Sequence, residues 1–382
     1  MSAIRRARHA VGVVFFVIGT MIGVWASRIP DIKIILGVDE SGFGMVLLVM
    51  ASGAFISLPV TGRMVDVWGG ARMAKVAVAV TLALFASLAF GTSVVVIAPL
   101  AFLFGFSMGC LDVSMNAWGV EVEQALGRPV MSSYHGLYSL GAGVGAGVGA
   151  VALKLDLTVP QHFLGWSVLL LAVVLWVHRT PWVSERAAKG SEKAPLFAIP
   201  RGALFFAGIM ALVAALAEGA ITDWAALYQI QELGFDSSTA AVGFAVFSVA
   251  MVVMRLSGDQ LIARFGPVPV ARISGLAAVS GAALLVMGGP VWVIWTACLI
   301  MGLGNAVIFP LAMSRAAAEP GTSKGAALAS VATLGYGAFL FGPPVLGFIG
   351  HALSLRTSFL VVALLALLIP LLAGTLKVNR EA

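Results

Sequence analysis

Charged side chains are scarce in this sequence. Only 10% of its 382 residues are Asp, Glu, Lys or Arg, whereas soluble globular domains carry about 25%. Hydrophobic residues make up 60% of the chain, and the mean hydropathy is +1.03. A soluble fold has no core large enough to hide so much apolar surface. The composition therefore excludes an ordinary soluble protein and indicates a chain that is surrounded mostly by lipid.

Cysteine is also rare, and the patterns of common catalytic sites are absent. Cys110 and Cys298 both fall in apolar runs, which excludes a disulfide framework and a metal site with Cys or His ligand spacing. The sequence contains no P-loop and no recognisable set of nucleophile, base and orienting group. We therefore expect no cofactor, no metal and no enzymatic activity. A membrane-embedded enzyme and a channel are the disfavoured alternatives.

The excess of positive charge, +6 at neutral pH, follows membrane topology. No basic cluster is interleaved with aromatic residues, so we expect no nucleic-acid partner. With the amino terminus in the cytoplasm, 19 of the 23 Lys and Arg residues fall on the inner side, Arg255 among them. Only Arg28, Lys33, Lys154 and Arg356 fall outside. This positive-inside bias predicts cytoplasmic termini and an even number of spans.

Long, continuous apolar runs predict an all-α polytopic membrane protein. In lipid, backbone polar groups must be hydrogen-bonded within helices or closed β-barrels. The strands of a barrel would alternate apolar and polar residues, which these runs do not. Twelve spans are predicted in two sets of six. The first set lies near 10–29, 42–61, 73–91, 94–117, 131–153 and 163–179, and the second near 203–228, 239–257, 271–288, 291–313, 325–349 and 358–376. The polar stretch between them predicts an N-terminal bundle at 1–180, a cytoplasmic linker at 181–201 and a C-terminal bundle at 202–382.

An internal repeat relates the two sets of spans. A constant offset of 197 residues connects four pairs at matching places in their halves: Gly69 and Gly266, Gly105 and Gly302, Ser133 and Ser330, and Gly145 and Gly342. Duplicated halves of this kind are typical of transporters with parallel repeats.

The segment after the second span, GRMVDVWGGAR, resembles the signature of the major facilitator superfamily. The matching residues are Gly62, Asp66, Gly69 and Arg72, while Val67 and Gly70 stand where the family has Arg. A degenerate copy in the second half has Gly258, Leu261, Arg264 and Gly266. The resemblance implies a fold of two six-helix bundles and a cytoplasmic gate formed by these residues. The alternative interpretation is an ordinary charged loop.

The fourth span carries Asp112 and Asn116, whose four-residue spacing places them on one helix face. The segment GCLDVSMNAWGVEVE is similar to the fourth span of the fucose-galactose-glucose:proton symporter branch, and AEGAITDWAALY, with Glu218, is similar to its seventh span. These segments and GRPVMSSYHG also resemble bacterial inner-membrane facilitator proteins. The resemblance implies an inner-membrane transporter but does not carry the substrate with it; a sugar-like solute, moved together with a proton, is the leading expectation. Efflux of an amphipathic compound stays open as the alternative.

Acidic residues at membrane depth are costly and usually line a cavity or a proton relay. Because desolvation disfavours a charged carboxylate, Asp112 and Glu218 are predicted to bind solute or proton, although Asp112 could instead only fix helix packing. His135 is predicted to pair with Asp112, or to be a packing residue. Further candidates for the solute site are Trp25, Tyr138, Trp224 and Asn305, with interfacial or interhelical roles as alternatives. Arg28 is expected to snorkel toward the outer interface, with pairing to an anion or carboxylate as the alternative, since Asp31 follows three residues later.

The sequence thus predicts a secondary transporter that moves a small solute by alternating access, with the two halves rocking around a site near the membrane midplane. Its predicted partners are the solute, a proton and the lipid bilayer, and we expect a monomer.

Overall fold

The structure is a computed structural model that describes residues 3–127, 130–184, 200–319 and 324–377. The chain divides into two compact units, Met1–Ser191 and Glu192–Ala382. The predicted linker at 181–201 lies mostly outside the described residues, so its boundaries stay a prediction. Within the described ranges the regular secondary structure is entirely helical.

The first unit contains six long helices. They are α1 (Ala3–Leu36), α2 (Glu40–Trp68), α3 (Gly70–Ser87), α4 (Val94–Leu126), α5 (Met131–Lys154) and α6 (Val159–His178). The second unit contains α7 (Ala203–Gln231), α8 (Ser237–Phe265), α9 (Pro267–Met287), α10 (Val291–Asn305), α11 (Ile308–Ala317), α12 (Lys324–Ala352), α13 (Leu355–Ala366) and α14 (Leu368–Leu372).

Twelve helical segments of the described chain are long and apolar enough to cross a membrane, which confirms the predicted number. The tenth span is not one continuous helix as expected, because α10 ends at Asn305 and α11 begins at Ile308. The first helix continues through Pro30 to Leu36, beyond its predicted end. Apolar runs therefore locate the spans, but polar residues at helix ends extend them past the hydrocarbon layer.

The backbone of the two units shows the repeat that the sequence predicts. Gly69 separates α2 from α3 with φ 83° and ψ 150°, and Gly266 separates α8 from α9 with φ 84° and ψ 163°. Residues with a side chain rarely adopt this region, so both turns favour glycine. The same offset relates the residues that cap α2 and α8: Asp39 accepts from Gly42 N at 2.8 Å, and Asp236 accepts from Thr239 N at 3.0 Å.

Helix packing repeats in the same way. In the first unit α1 packs most closely on α5 and α2 on α4, and in the second unit α7 packs on α12 and α10 on α8 and α9. A Cβ atom added to Gly105 would lie 1.8 Å from the carbonyl oxygen of Met50, and one added to Gly302 would lie 2.5 Å from that of Phe247. Glycine at these points lets the paired helices approach closely enough for backbone contact.

Candidate functional site

Two carboxylates lie near the middle of spanning helices, one in each unit. Asp112 is about 3 Å along the axis from the midpoint of α4, and Glu218 is about 2 Å from the midpoint of α7. Helices of 29 to 33 residues are longer than a hydrocarbon layer of about 30 Å. Residues near their midpoints are therefore at hydrocarbon depth, yet Asp112 and Glu218 are only partly buried.

In the first unit the predicted pair on α4 is in contact. Asn116 Nδ2 donates to Asp112 Oδ1 at 3.2 Å and to the Asp112 carbonyl oxygen at 2.8 Å. The four-residue spacing thus brings the two side chains together, as predicted. The amide presents a donor to the carboxylate, which stabilises its charged form and orients it.

In the second unit Glu218 forms an ion pair that the sequence reasoning missed. Arg255 Nη2 on α8 lies 3.6 Å from Glu218 Oε2, and their side chains are 17% and 27% exposed. Arg255 is within α8, about 6 Å from its midpoint, and within the span predicted at 239–257; its place toward the cytoplasmic side stays a prediction. The ion pair joins α7 to α8 through opposite charges.

Arg28 forms a second charged cluster, at the far end of α1 from Ala3. Its side chain is 3% exposed and is in contact with Asp31 at 2.6 Å. Arg28 Nε donates to His162 Nδ1 at 3.0 Å, and Nη2 donates to the Leu157 carbonyl oxygen at 2.6 Å. The expectation that Arg28 snorkels outward was wrong, because it is buried and joins α1 to the turn before α6 and to α6 itself.

The candidate aromatic residues are placed differently from one another. Trp25 is 2% exposed and packs against Phe163 with a centroid distance of 6.4 Å, and Trp224 is fully buried. Tyr138 is half-buried on α5. The two tryptophans therefore present no face to solvent in this conformation. Their predicted contact with solute, like that of Tyr138, stays a prediction.

His135 and Asn305 also differ in exposure. His135 is exposed on α5, with its ring edge-on to Phe15 at 5.1 Å, and its pairing with Asp112 stays a prediction. Asn305 is buried, and its Nδ2 donates to the Ala214 carbonyl oxygen on α7 at 2.9 Å. This is the interhelical hydrogen bond of the alternative interpretation, and it lies where α10 ends.

The predicted gate residues of the first unit are mostly helical rather than in a loop. Gly62 and Asp66 lie in the last turns of α2, Gly69 forms the turn, and Arg72 is in the first turn of α3. The exposed Arg72 guanidinium lies 5.8 Å from the centroid of the Trp68 ring. The structure shortens the predicted loop to one glycine, because helical hydrogen bonding continues on both sides of it.

The second copy has the same arrangement. Gly258 and Arg264 lie in α8, Gly266 forms the turn to α9, and the Arg264 guanidinium lies 5.2 Å from the Phe265 ring. A Cβ atom added to Gly258 would lie 2.7 Å from Val307. The role of both copies as a gate stays a prediction.

The start of the polar segment after α6 is fixed to the first of these turns. Ser184 Oγ accepts from Ala71 N at 2.8 Å, Trp182 Nε1 donates to Glu121 at 2.8 Å, and Lys75 Nζ donates to the Thr180 carbonyl oxygen at 2.5 Å. Gly69 offers no side-chain cap to α3, and Ser184 supplies the missing acceptor. Sequence alone gives no signal for a cap that arrives from so far along the chain.

Comparison with known proteins decides the family. The model of the Major Facilitator Superfamily matches residues 11–337. The chain belongs to the Major Facilitator Superfamily. Uncharacterized transporter y4wD of Sinorhizobium fredii (strain NBRC 101917 / NGR234) is 39% identical over 95% of this chain and 96% of the relative. Uncharacterized MFS-type transporter YPO1221/y2967 of Yersinia pestis is 31% identical over 92% of this chain and 91% of the relative. Membrane protein MosC of Rhizobium meliloti is 28% identical over 92% of this chain and 86% of the relative.

Solved structures share the fold of this transporter. The nucleoside transporter NupG matches with a TM-score of 0.73 at 15% identity, covering 99% of this chain and 100% of NupG. The human organic anion transporter MFSD10 matches with a TM-score of 0.70 at 16% identity, covering 99% of this chain and 100% of MFSD10. The chain is therefore a multi-pass transporter of the major facilitator fold. The finer resemblance to the fucose-galactose-glucose branch is not established by these relatives.

Proposed function

We propose that this transporter couples movement of a small, sugar-like solute to movement of a proton by alternating access, in the inner membrane with both termini in the cytoplasm. The observation that carries the proposal is the presence of one partly exposed carboxylate near the middle of a spanning helix in each unit, Asp112 and Glu218. An ionisable acid at this depth costs free energy, and such residues usually line a solute path or a proton relay.

The partners of the two acids give them different tasks. Asp112 has a neutral amide partner, Asn116. An amide offers both a donor and an acceptor, so Asn116 can hydrogen-bond Asp112 whether its carboxyl group is charged or protonated. Glu218 faces a guanidinium that stays charged throughout. Protonation of Glu218 would weaken that ion pair, so proton binding and rearrangement of α7 and α8 would be linked. Asp112, with Asn116, is placed to bind hydroxyl groups of the solute.

The experiment starts with a thermal-shift screen of the purified transporter against sugars, organic acids and amphipathic cations, because a ligand stabilises the state that it binds. Solutes that raise the melting temperature are then supplied, radiolabelled, to proteoliposomes with an imposed proton gradient. We expect accumulation above equilibrium that collapses when a protonophore is added.

Two substitutions and one control test the assignment. Asp112→Asn and Glu218→Gln should abolish concentrative uptake, while Asp259→Asn, which removes an exposed acid of α8, should leave it intact. Accumulation that persists in both site variants would refute the proposed coupling residues. Uptake that only equilibrates in the wild-type protein would refute proton coupling itself.

A further inference from the structure

We infer that a groove on the first unit, between α3 and α6, is a binding site for one anionic phospholipid. One acyl chain lies in this α3–α6 groove, and the phosphate lies at the end of the groove that is marked by His178 and Arg179. The bilayer surrounds every spanning helix, whereas this site holds a lipid of defined charge at one place. The site does not depend on the proposed solute or on proton coupling.

The shape of the α3–α6 groove suits an acyl chain. The groove has a volume of about 370 Å³, and α6 lines one wall from Leu164 to His178. That wall runs about 21 Å along the helix axis, which is more than the thickness of one leaflet, about 15 Å. The other wall belongs to α3, where small residues recur at helical spacing and leave room between the helices. The lining residues of α3 are Ala79, Leu82, Ala83 and Ala86.

The walls of the groove are apolar. Val168 and Leu175 line it and are 69% and 52% exposed, although they lie on a spanning helix. Ser167 is the polar side chain between them, and its hydroxyl donates to the Phe163 carbonyl oxygen at 2.7 Å. A polar solute would lose its hydrogen bonds with water on entering such a groove. A hydrocarbon chain has none to lose, so it is the better occupant.

One end of the groove is positively charged. His178 lies in the last turn of α6, and the exposed Arg179 follows it directly. Lys75 lies on α3 one helical turn before Ala79, and its Nζ donates to the Thr180 carbonyl oxygen at 2.5 Å. Both walls of the groove therefore lead to basic side chains at the same end.

Arg179 is the best placed of these groups to bind a phosphate. Its guanidinium forms no hydrogen bond or ion pair within the ranges that the structure describes. The nearby acid Glu121 is already bonded to Trp182 Nε1 at 2.8 Å. A guanidinium presents a planar fork of donors that matches two phosphate oxygens. Basic groups between spanning helices, at the level of the membrane surface, bind anionic lipid headgroups.

The second half of the chain lacks both features at the corresponding positions. At the offset of 197 residues, Leu276 corresponds to Ala79, and Leu376 corresponds to Arg179. Leu376 is 3% exposed and belongs to the core of its unit. The same helix arrangement therefore forms without a small residue and a cation at these two places. Their presence together in the first half favours a role in binding over a role in folding.

Lipid titration of the purified, full-length transporter in mild detergent tests this inference. The probes are dioleoyl phosphatidylglycerol and dioleoyl phosphatidylcholine, which share their acyl chains and differ in net charge. Native mass spectrometry gives the number of bound lipids and the Kd of each, and thermal unfolding gives the stabilisation. We expect one phosphatidylglycerol to bind about tenfold more tightly than phosphatidylcholine, because its net negative charge is not cancelled by a choline group. Glycerol 3-phosphate, which has no acyl chains, should not raise the melting temperature.

Three variants assign the binding to the groove. Arg179→Gln should raise the Kd of phosphatidylglycerol about tenfold and leave that of phosphatidylcholine unchanged, since it removes the phosphate contact. Ala83→Leu should weaken both lipids, because it fills the groove with a larger side chain. The matched control is Arg272→Gln on α9, which removes an exposed arginine at the position that corresponds to Lys75. It should leave both Kd values unchanged.

Photocrosslinking locates the lipid even if Ala83→Leu does not fold. A phosphatidylglycerol with a diazirine in one acyl chain should crosslink mainly to peptides of α3 and α6. Crosslinks spread evenly over the spanning helices would overturn the site. Equal affinity for the two lipids, or an unchanged Kd in Arg179→Gln, would show ordinary surrounding lipid only and would also overturn it. Binding of glycerol 3-phosphate as tight as that of phosphatidylglycerol would assign the charged end to a soluble phosphate and refute the lipid site.

Discussion

The two units share a backbone plan but differ in where they place charge. At an offset of 197 residues, the turns at Gly69 and Gly266 and the caps Asp39 and Asp236 correspond closely. The charged residues do not correspond. Glu218 and Arg255 occur where the first unit has Met21 and Leu58, and Asp112 occurs where the second unit has Phe309. Since either half folds without the other's charges at these positions, the charges are not required by the fold.

This difference separates the residues that both halves use for structure from the charged residues that only one half has. The shared features are glycines at close helix contacts and acids at helix ends. They allow the same helix packing and the same helix capping in both halves. The features present once are side chains that cost free energy at membrane depth. The carboxylate–amide pair of the first unit and the ion pair of the second are such features, and we propose that they serve different steps of the transport cycle.

The largest expected effect comes from filling a close contact of the shared plan. Gly105→Ala should cost about 3 kcal/mol or more, because its new Cβ would lie 1.8 Å from the Met50 carbonyl oxygen and the helices must separate. Gly302→Ala should cost less, because its contact is 2.5 Å. Melting in detergent, followed by size-exclusion chromatography, measures both.

The control for these glycine variants is Gly147→Ala on α5, where an added Cβ meets nothing within 4 Å. It should be neutral or slightly stabilising, since alanine favours helix more than glycine does. A Gly105→Ala protein as stable as Gly147→Ala would show that the close approach of α2 and α4 is not needed. The same result would remove the structural basis for the repeated contact.

The second prediction converts the ion pair of the second unit into the residues of the first. The double variant Glu218→Met with Arg255→Leu should fold, because apolar replacements of a paired charge are often neutral, but gradient-driven uptake should fall to background. Each single substitution should be less stable than the double by about 1–3 kcal/mol, since it leaves one charge unpaired and partly exposed. Proteoliposome uptake and thermal unfolding test the two parts. A double variant that still concentrates solute would contradict the functional assignment.

The third prediction contrasts the two arginines. Arg28→Lys should destabilise the first unit by about 2 kcal/mol, because an ammonium group cannot reproduce contacts to Asp31, His162 and the Leu157 carbonyl oxygen together. The protein that remains folded should bind solute with an unchanged Kd. Arg255→Lys should show the reverse pattern, with nearly normal stability and weaker gradient-driven uptake, because it alters the ion pair with Glu218. Thermal unfolding, calorimetry and proteoliposome uptake on both variants give the comparison, and a binding defect in Arg28→Lys would break it.

The smallest expected effect concerns the matched helix caps. Asp39→Ala and Asp236→Ala should each cost about 1 kcal/mol, because each removes an acceptor for the first turn of its helix. Hydrogen bonds from Ser238 and Thr239 hold the pKa of Asp236 well below its usual range. A lowered folded-state pKa stabilises the fold above the ordinary value of about 4 and loses that effect as the pH falls below it. Melting temperatures at pH 7 and pH 3 should therefore differ less in Asp236→Ala than in the wild-type protein.

Sequence reasoning succeeded where the determining interaction is local. Spanning segments follow from apolar runs, and the contact of Asp112 with Asn116 follows from the geometry of a single helix. The break between α10 and α11 was missed, and Asn305, where α10 ends, donates to the Ala214 carbonyl oxygen on another helix. Local sequence carries no record of that partner.

The charged residues show the same limit. Arg28 was read as an interfacial residue because its partner His162 is 134 residues away. Arg255 lies near the end of the eighth predicted span, and its ion pair with Glu218 on another helix was missed because the local sequence does not indicate that partner.

The measurement that tests the central claim most directly is proton movement caused by solute in lightly buffered proteoliposomes that contain a pH indicator and no imposed gradient. Addition of a solute identified by thermal shift should acidify the lumen in wild-type vesicles, and the Asp112→Asn, Glu218→Gln double variant should show no change. Solute entry without any pH change in the wild-type protein, or equal acidification in the double variant, would contradict the account.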